Sequence, residues 1–157
     1  MIFYIFFIIL LLVAAYCTVQ ISLADFSRRI IPDAYLFPLM LIGLILITFF
    51  PMFPTKLSDG VIGATFGYIL TTVIGALYDH HLQKTGDKTT VPIGMGDIKL
   101  IGVGGLWLGT TGLSIALIIA CIGGAIWAKK NKQKYIPFAP FFIVGGFLSF
   151  IAIIFLL

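Results

Sequence analysis

The sequence predicts an all-α, polytopic integral membrane protein, on three observations. Hydrophobic residues make up 61% of the 157 residues, whereas charged residues make up only 10%. Several uncharged runs reach or approach the roughly 18–20 residues that an α-helix needs to span a bilayer. The net charge of +4 is not accompanied by the basic, aromatic-rich face of a soluble nucleic-acid-binding module. We therefore expect the lipid bilayer as a partner, and no nucleic acid.

The N-terminal apolar run, residues 1–24, carries no charge and is long enough to cross the membrane. No positive charge precedes it, and it exceeds the usual apolar core of a secretory signal, so we expect a retained helix. A short polar connection follows, residues 25–33 (DFSRRIIPD). Pro32 disfavours helix at the residue before it, and Asp33 suits the N-cap or first turn of a second helix over residues 34–50.

A third helix is expected over residues 61–78, after a turn rich in proline and glycine. It contains Gly63 and Gly67, whose G-x-x-x-G spacing permits close approach of another helix. The longest polar loop, residues 79–90, comes next.

Metal-binding and disulfide chemistry are not indicated. His80 and His81 are adjacent and are not spaced to share one helical face. Cys17 and Cys121 lie alone within apolar runs, and neither belongs to a C-x-x-C motif. We therefore expect no metal site and no cofactor.

The uncharged stretch after Lys99, up to residue 128, allows either one very long helix or two helices that turn at residues 109–112 (GTTG). The positive-inside rule separates these alternatives. With the turn, nine of the ten Lys and Arg residues lie on one side and only Lys56 lies opposite; without it, the division is five against five. We therefore predict six transmembrane helices, the last over residues 137–157, with both termini on the non-cytoplasmic side.

Two aspartates at helix ends are the candidate catalytic residues. Asp25 closes the first apolar run, where a negative charge opposes the helix macrodipole, so capping of that helix does not explain it. Asp97 opens a later apolar run, after the two-glycine turn of residues 92–97 (PIGMGD). Both are expected on the cytoplasmic side. Two carboxylates held close in a low-dielectric setting share one proton; as in aspartic proteases, such a pair activates water and hydrogen-bonds a scissile carbonyl.

The turn before Asp97 supplies candidate substrate-binding residues, namely Gly94, Met95 and Gly96. Glycines at this position bring the backbone within reach of an extended substrate strand. Lys99, two residues beyond Asp97, points to another face of a regular helix. We expect its side chain either to extend to the lipid headgroups or to contact the substrate and tune the site.

Residues 25–33 resemble the first aspartate motif of type IV prepilin peptidases and archaeal preflagellin peptidases. Residues 94–100 (GMGDIKL) resemble the G-x-G-D motif of the same family, and residues 136–141 (IPFAPF) look like the start of its last helix. The resemblance implies a six-helix membrane aspartic endopeptidase in which Asp25 and Asp97 form the catalytic pair. Such enzymes remove a short basic leader from prepilin-like precursors at the cytoplasmic face of the membrane.

The resemblance also implies one membrane-embedded peptidase domain over residues 1–157, in a multi-pass protein of the plasma (inner) membrane. Prepilins, pseudopilins and Flp-type precursors are the expected substrates, with preflagellins as the alternative. Many bacterial members carry an extra segment with paired C-x-x-C motifs and also N-methylate the mature pilin. The sequence contains no such motif, so we expect the short, peptidase-only type.

Two other classes of function compete with the peptidase. A small transporter that uses aspartates as a proton relay would place acids near the middle of helices, whereas these acids lie at helix ends. In a non-catalytic membrane assembly subunit, the glycine turn would serve packing alone.

Overall fold

The computed structural model describes residues 2–51, 53–85, 93–132 and 136–156. These residues form five α-helices: α1 (Ile2–Arg28), α2 (Asp33–Phe49), α3 (Leu57–Thr85), α4 (Met95–Asn131) and α5 (Phe138–Leu156). Four of them, α1, α3, α4 and α5, are long and apolar enough to cross a membrane, whereas α2 is a shorter apolar helix. The all-α, multi-pass membrane architecture predicted from the sequence is confirmed.

The prediction of six transmembrane helices is wrong. The apolar run after Lys99 forms a single helical element, α4, in which only Gly109 has non-helical dihedral angles (φ 67°, ψ −174°). The sequence predicts a four-residue turn here, but one glycine is enough, because this part of dihedral space is open almost only to glycine. The prediction that both termini lie on the non-cytoplasmic side was derived from six crossings, so this count no longer supports it.

Helix α4 bends sharply at Gly109. The side chains of Ile101 and Leu113 both approach Gly67 of α3, at 3.1 and 2.8 Å from the position that a Cβ would occupy there. In a straight helix these two residues would lie about 18 Å apart along the axis. The two segments of α4 therefore lie side by side against α3.

Glycines let α3 and α4 approach closely. A Cβ at Gly63 would lie 2.6 Å from the carbonyl oxygen of Gly105 and 2.8 Å from the carbonyl carbon of Gly109. The two helices thus meet backbone to backbone, as the G-x-x-x-G spacing predicts. Asp59, in the first turn of α3, accepts hydrogen bonds from the Thr110 N–H (3.2 Å) and hydroxyl (2.9 Å). This carboxylate satisfies a donor that the bend in α4 would leave unpaired.

Trp107 anchors α2 to α4. A Cβ at Gly43 would lie 2.5 Å from the indole Nε1 of Trp107, so only a glycine leaves room for this ring. The same Nε1 donates a hydrogen bond of 3.0 Å to the carbonyl of Leu39. The hydroxyl of Thr55, in the connection after α2, donates to the carbonyl of Trp107 at 2.7 Å. These contacts fix α2 against the first segment of α4, well inside the helical layer.

Two helices extend beyond their apolar runs. Helix α1 includes Asp25 in its last turn, and α3 continues through the first part of the expected polar loop to Thr85. In that extension the Gln83 amide donates a hydrogen bond of 2.9 Å to the Asp79 carboxylate, an i, i+4 pair that supports exposed helix. The remainder of the expected loop, including Asp87, lies outside the described residues.

We expect Gly63→Ala to destabilise the protein by about 1–3 kcal/mol, because the added methyl would meet backbone atoms that cannot rotate away. Gly75→Ala, on the same helix, is the matched control. Its Cβ would find the nearest neighbour, the Cβ of Ile93, at 3.7 Å, which is ordinary contact. Thermal unfolding of the purified variants in detergent measures the difference. Equal melting temperatures would contradict a tight backbone contact between α3 and α4.

Candidate active site

Asp25 is buried in the last turn of α1, with 5% of its surface exposed. Its Oδ2 accepts a hydrogen bond of 2.8 Å from the backbone N–H of Ala139, in the first turn of α5. The C-terminal end of α1 disfavours a negative charge, but the N-terminal end of α5 favours one. This hydrogen bond therefore compensates for the burial of the carboxylate, and it joins the first helix to the last.

The start of α5 is built to present that donor. Backbone N–H groups in the first turn of a helix have no acceptor within the helix. Pro137 and Pro140 flank Ala139 at close range and lack an N–H. Ala139 itself is fully buried, so its N–H has Asp25 as its partner in place of water. This contact is not predictable from the sequence alone, because the prolines of residues 136–141 mark a helix start but do not indicate which side chain contacts it.

Asp97 lies in the first turn of α4 and is half-buried. Gly94 occupies the N-cap position, with an extended backbone (φ −68°, ψ 141°). The Asp97 carboxylate accepts a hydrogen bond from the Gly94 N–H, the geometry of an acid that reaches back from the third helical position to the N-cap. The carboxylate is thus held at the start of α4.

The structure brings Asp25 and Asp97 together, within range of electrostatic interaction. Ile31, in the connection between α1 and α2, packs against the glycine turn: a Cβ at Gly96 would lie 2.9 Å from the Cβ of Ile31. One carboxyl group is therefore buried and bonded to a helix N-terminus, while the other is half-exposed. Such a pair can hold one proton between its members and activate a water molecule.

The predicted substrate-binding residues of the glycine turn differ in exposure. Gly94 is exposed and Met95 has 63% of its surface exposed, so this part of the turn is open beside Asp97. Gly96 is half-buried because Ile31 covers it. The backbone of Gly94 and Met95 is the more accessible part for an extended peptide.

Lys99 forms an ion pair with Asp33, the first residue of α2. Its Nζ lies 3.0 and 2.8 Å from the two carboxylate oxygens, and both side chains are partly exposed. The placement of Asp33 in the first turn of α2 is confirmed. The pairing of these two residues was not predicted, because they lie far apart in the sequence and each has an ordinary local explanation.

Trp127, near the end of α4, contacts aromatic and basic side chains close to Asp25. Its ring contacts those of Phe26 and Phe141, with centroids 6.1 and 6.2 Å away. The Arg29 guanidinium carbon lies 5.7 Å from the Trp127 ring centroid. Arg29 has a left-handed backbone (φ 56°) and donates its N–H to the Asp25 carbonyl at 3.0 Å. The end of α4 thus reaches the same end of the molecule as its start.

Metal ligands are not grouped in the part of the chain that the structure describes. No cluster of three His, Cys, Asp or Glu side chains there could hold a metal ion. His80 and His81 lie on the exposed last turns of α3.

The chain is similar to several proteins named prepilin leader peptidase/N-methyltransferase. It is 30% identical to that of Aeromonas salmonicida over 145 residues, which cover 88% of this chain and 47% of the relative. It is 32% identical to that of Xanthomonas campestris pv. campestris over 139 residues (84% and 46%). It is also 30% identical to that of Neisseria gonorrhoeae over 137 residues (85% and 45%). The chain therefore spans about half the length of these curated relatives.

No solved structure matches the chain significantly. The type IV leader peptidase family matches residues 4–129, a span that includes Asp25, Asp97 and the glycine turn. Together with the relatives, this match identifies the family: the chain belongs to the type IV leader peptidase family.

Proposed function

We propose that this chain is a membrane aspartic endopeptidase that removes the leader peptide from type IV prepilin-like precursors, with residues 1–157 acting as one peptidase domain. The observation that carries the proposal is that Asp25, at the end of α1, and Asp97, at the start of α4, lie within range of electrostatic interaction, and that both fall inside the family match. Because the relatives are named for prepilins, we favour these substrates over preflagellins.

In the proposed reaction, the ionised member of the pair takes a proton from a water molecule, whose oxygen attacks the scissile carbonyl carbon. The protonated member donates a hydrogen bond to the carbonyl oxygen, and the departing amine then receives a proton from the pair. Asp25 and Asp97 share these roles as a coupled unit. Asp97 is partly exposed, so it is the member of the pair that a substrate reaches first. Asp25 is buried and is held in place by the Ala139 N–H.

The glycine turn is the proposed binding site for the extended substrate strand. Gly94 and Met95 are exposed beside Asp97, and their backbone groups are available to pair with a peptide. The contact between Gly96 and Ile31 fixes how closely this turn approaches the connection between α1 and α2. The Lys99 ammonium is bound to Asp33, so it contacts substrate only when that ion pair opens.

We place this end of the molecule at the cytoplasmic face. Arg28, Arg29, Lys99 and Lys129 lie at the ends of α1 and α4 that gather around the two acids, whereas Lys56 precedes α3 at the opposite end. An excess of Lys and Arg is typical of the cytoplasmic side of membrane proteins. The partner is then a prepilin-like membrane protein whose leader is presented on that side.

Asp25→Asn and Asp97→Asn are each expected to lower leader cleavage about 10²–10⁴-fold, because an amide can neither take nor deliver the proton. Asparagine keeps the acceptor oxygen for the Ala139 or Gly94 N–H, so both variants should fold. Purified protein mixed with a prepilin-like substrate, with the cut located by mass spectrometry, gives the measurement. Asp59→Asn is the matched control and should cleave normally. Retained cleavage in either single variant would rule out the two-aspartate mechanism.

The cleavage rate is expected to be bell-shaped in pH, because activity needs one carboxyl group ionised and the other protonated. At low pH both are protonated and no base remains; at high pH both are ionised and no proton donor remains. Initial rates across the pH range, with protein integrity checked at each end, test this expectation. A cleavage rate that falls neither at low pH nor at high pH would contradict a shared proton.

Gly96→Ala is expected to lower cleavage substantially, with a loss of up to about 10²-fold, because its methyl would press on Ile31 and displace the turn that bears Asp97. Gly102→Ala, on the same helix, is the control, since its Cβ would meet Tyr68 at an ordinary 3.6 Å. Cleavage assays and melting temperatures of both variants are compared. Wild-type cleavage by a folded Gly96→Ala variant would contradict the proposed role of this contact.

A further inference from the structure

The two catalytic motifs are joined by a second contact, eight residues after Asp25 and two residues after Asp97. The Lys99 ammonium binds both oxygens of the Asp33 carboxylate, at 3.0 and 2.8 Å. Asp33 begins α2, and the connection from α1 to α2 ends at Pro32. The ion pair therefore ties the end of that connection to the first turns of α4.

This contact acts on the same two segments as the packing of Ile31 on Gly96. Ile31 lies two residues before Asp33, and Gly96 lies three residues before Lys99. An apolar contact fixes the distance between the segments, whereas a two-oxygen ion pair also fixes their direction. Both contacts therefore join the connection between α1 and α2 to the part of α4 that carries Asp97.

The ion pair contributes little to holding α2 against α4. That association is made deeper in the molecule, where the Trp107 ring fills the space above Gly43 and binds the Leu39 carbonyl. Partly exposed ion pairs add little to stability, and the side chains of Lys99 and Asp33 are 39% and 47% exposed. The ion pair can instead fix the position of the start of α2 relative to the start of α4.

Lys99 does not supply its charge directly to Asp97. Residues two apart on a helix point to different faces, and the Lys99 ammonium is already bound by Asp33. Lys99 also lines an apolar groove of about 620 Å³ between α2, α3 and α4, together with Leu36, Met40 and Tyr68. Pairing with Asp33 keeps this cation at the edge of the groove and neutralised.

We propose that Asp33 and Lys99 are positioning residues, whose ion pair holds the Asp97 turn in register with Asp25 for cleavage. The inference rests on the proposed peptidase function. In this proposal the ion pair affects the catalytic step through geometry. It does not contact the substrate directly, and it contributes little to the stability of the fold.

The test is a double-mutant cycle on the full chain, with Asp33→Asn, Lys99→Met and the double variant. Each single variant is expected to lower kcat about tenfold or more, because a small displacement of a catalytic group is costly, while KM stays nearly constant. The double variant should lose no more than the worse single variant, because both act through one contact. Melting temperatures should stay close to that of the wild type.

A charge swap, Asp33→Lys with Lys99→Asp, gives the second measurement and should recover at least part of the lost kcat. Lys56→Met, at the other end of the molecule, is the control for removal of a lysine and should behave as wild type. The cycle decides the question even where the swapped protein does not accumulate.

Three outcomes would overturn the proposal: wild-type kcat in both single variants, multiplicative losses in the double variant, or a loss confined to KM. Activity that falls only in proportion to folded protein would assign the pair to stability and overturn it as well. The Asp25→Asn variant keeps the two hypotheses distinguishable. If it still cleaves, the peptidase mechanism fails; if it is inactive while the pair variants are normal, only the positioning role fails.

Discussion

The hydrogen bond from the Ala139 N–H to the Asp25 carboxylate is the contact on which the geometry of the candidate site depends. The negative charge of this carboxylate is disfavoured by the dipole at the C-terminal end of its own helix. It is also disfavoured by burial, because only 5% of the Asp25 surface is exposed. The first turn of α5 supplies both a donor that has no helical partner and the positive end of a helix dipole. Since α1 and α5 are the first and last of the described helices, this hydrogen bond joins the two ends of the bundle at the acid.

The glycine-lined contact between α3 and α4 brings the remaining groups to the same place. Close packing at Gly63, together with the bend at Gly109, lets the two segments of α4 run side by side. The start of α4 then delivers Asp97, and its end delivers Trp127, which packs with Phe26 of α1. Without small residues at these positions, the backbones could not approach, and one end of α4 would lie far from the site.

The family and the location of both acids at helix ends follow from local sequence patterns, and the errors have an equally physical origin. Counting charges on each side of a membrane predicts how often the chain crosses it, but it does not distinguish a loop between two helices from one helix bent at a single glycine. Hydropathy likewise measures how long an apolar run is and not where the helix ends, so the polar extension of α3 to Thr85 was not predicted. Propensity and side-chain pairing, as between Gln83 and Asp79, decide that boundary.

By itself the sequence determined the membrane class, the helical architecture, the motifs of the type IV leader peptidase family and the two candidate aspartates, because apolar run length and motif spacing are local properties of the chain. Only the tertiary structure decided that Ala139 binds Asp25, that Ile31 covers Gly96 and that Lys99 pairs with Asp33. Each of these contacts joins segments from different helices. Their partners depend on how the helices pack against one another, and helix packing is set by the whole set of interhelical contacts at once.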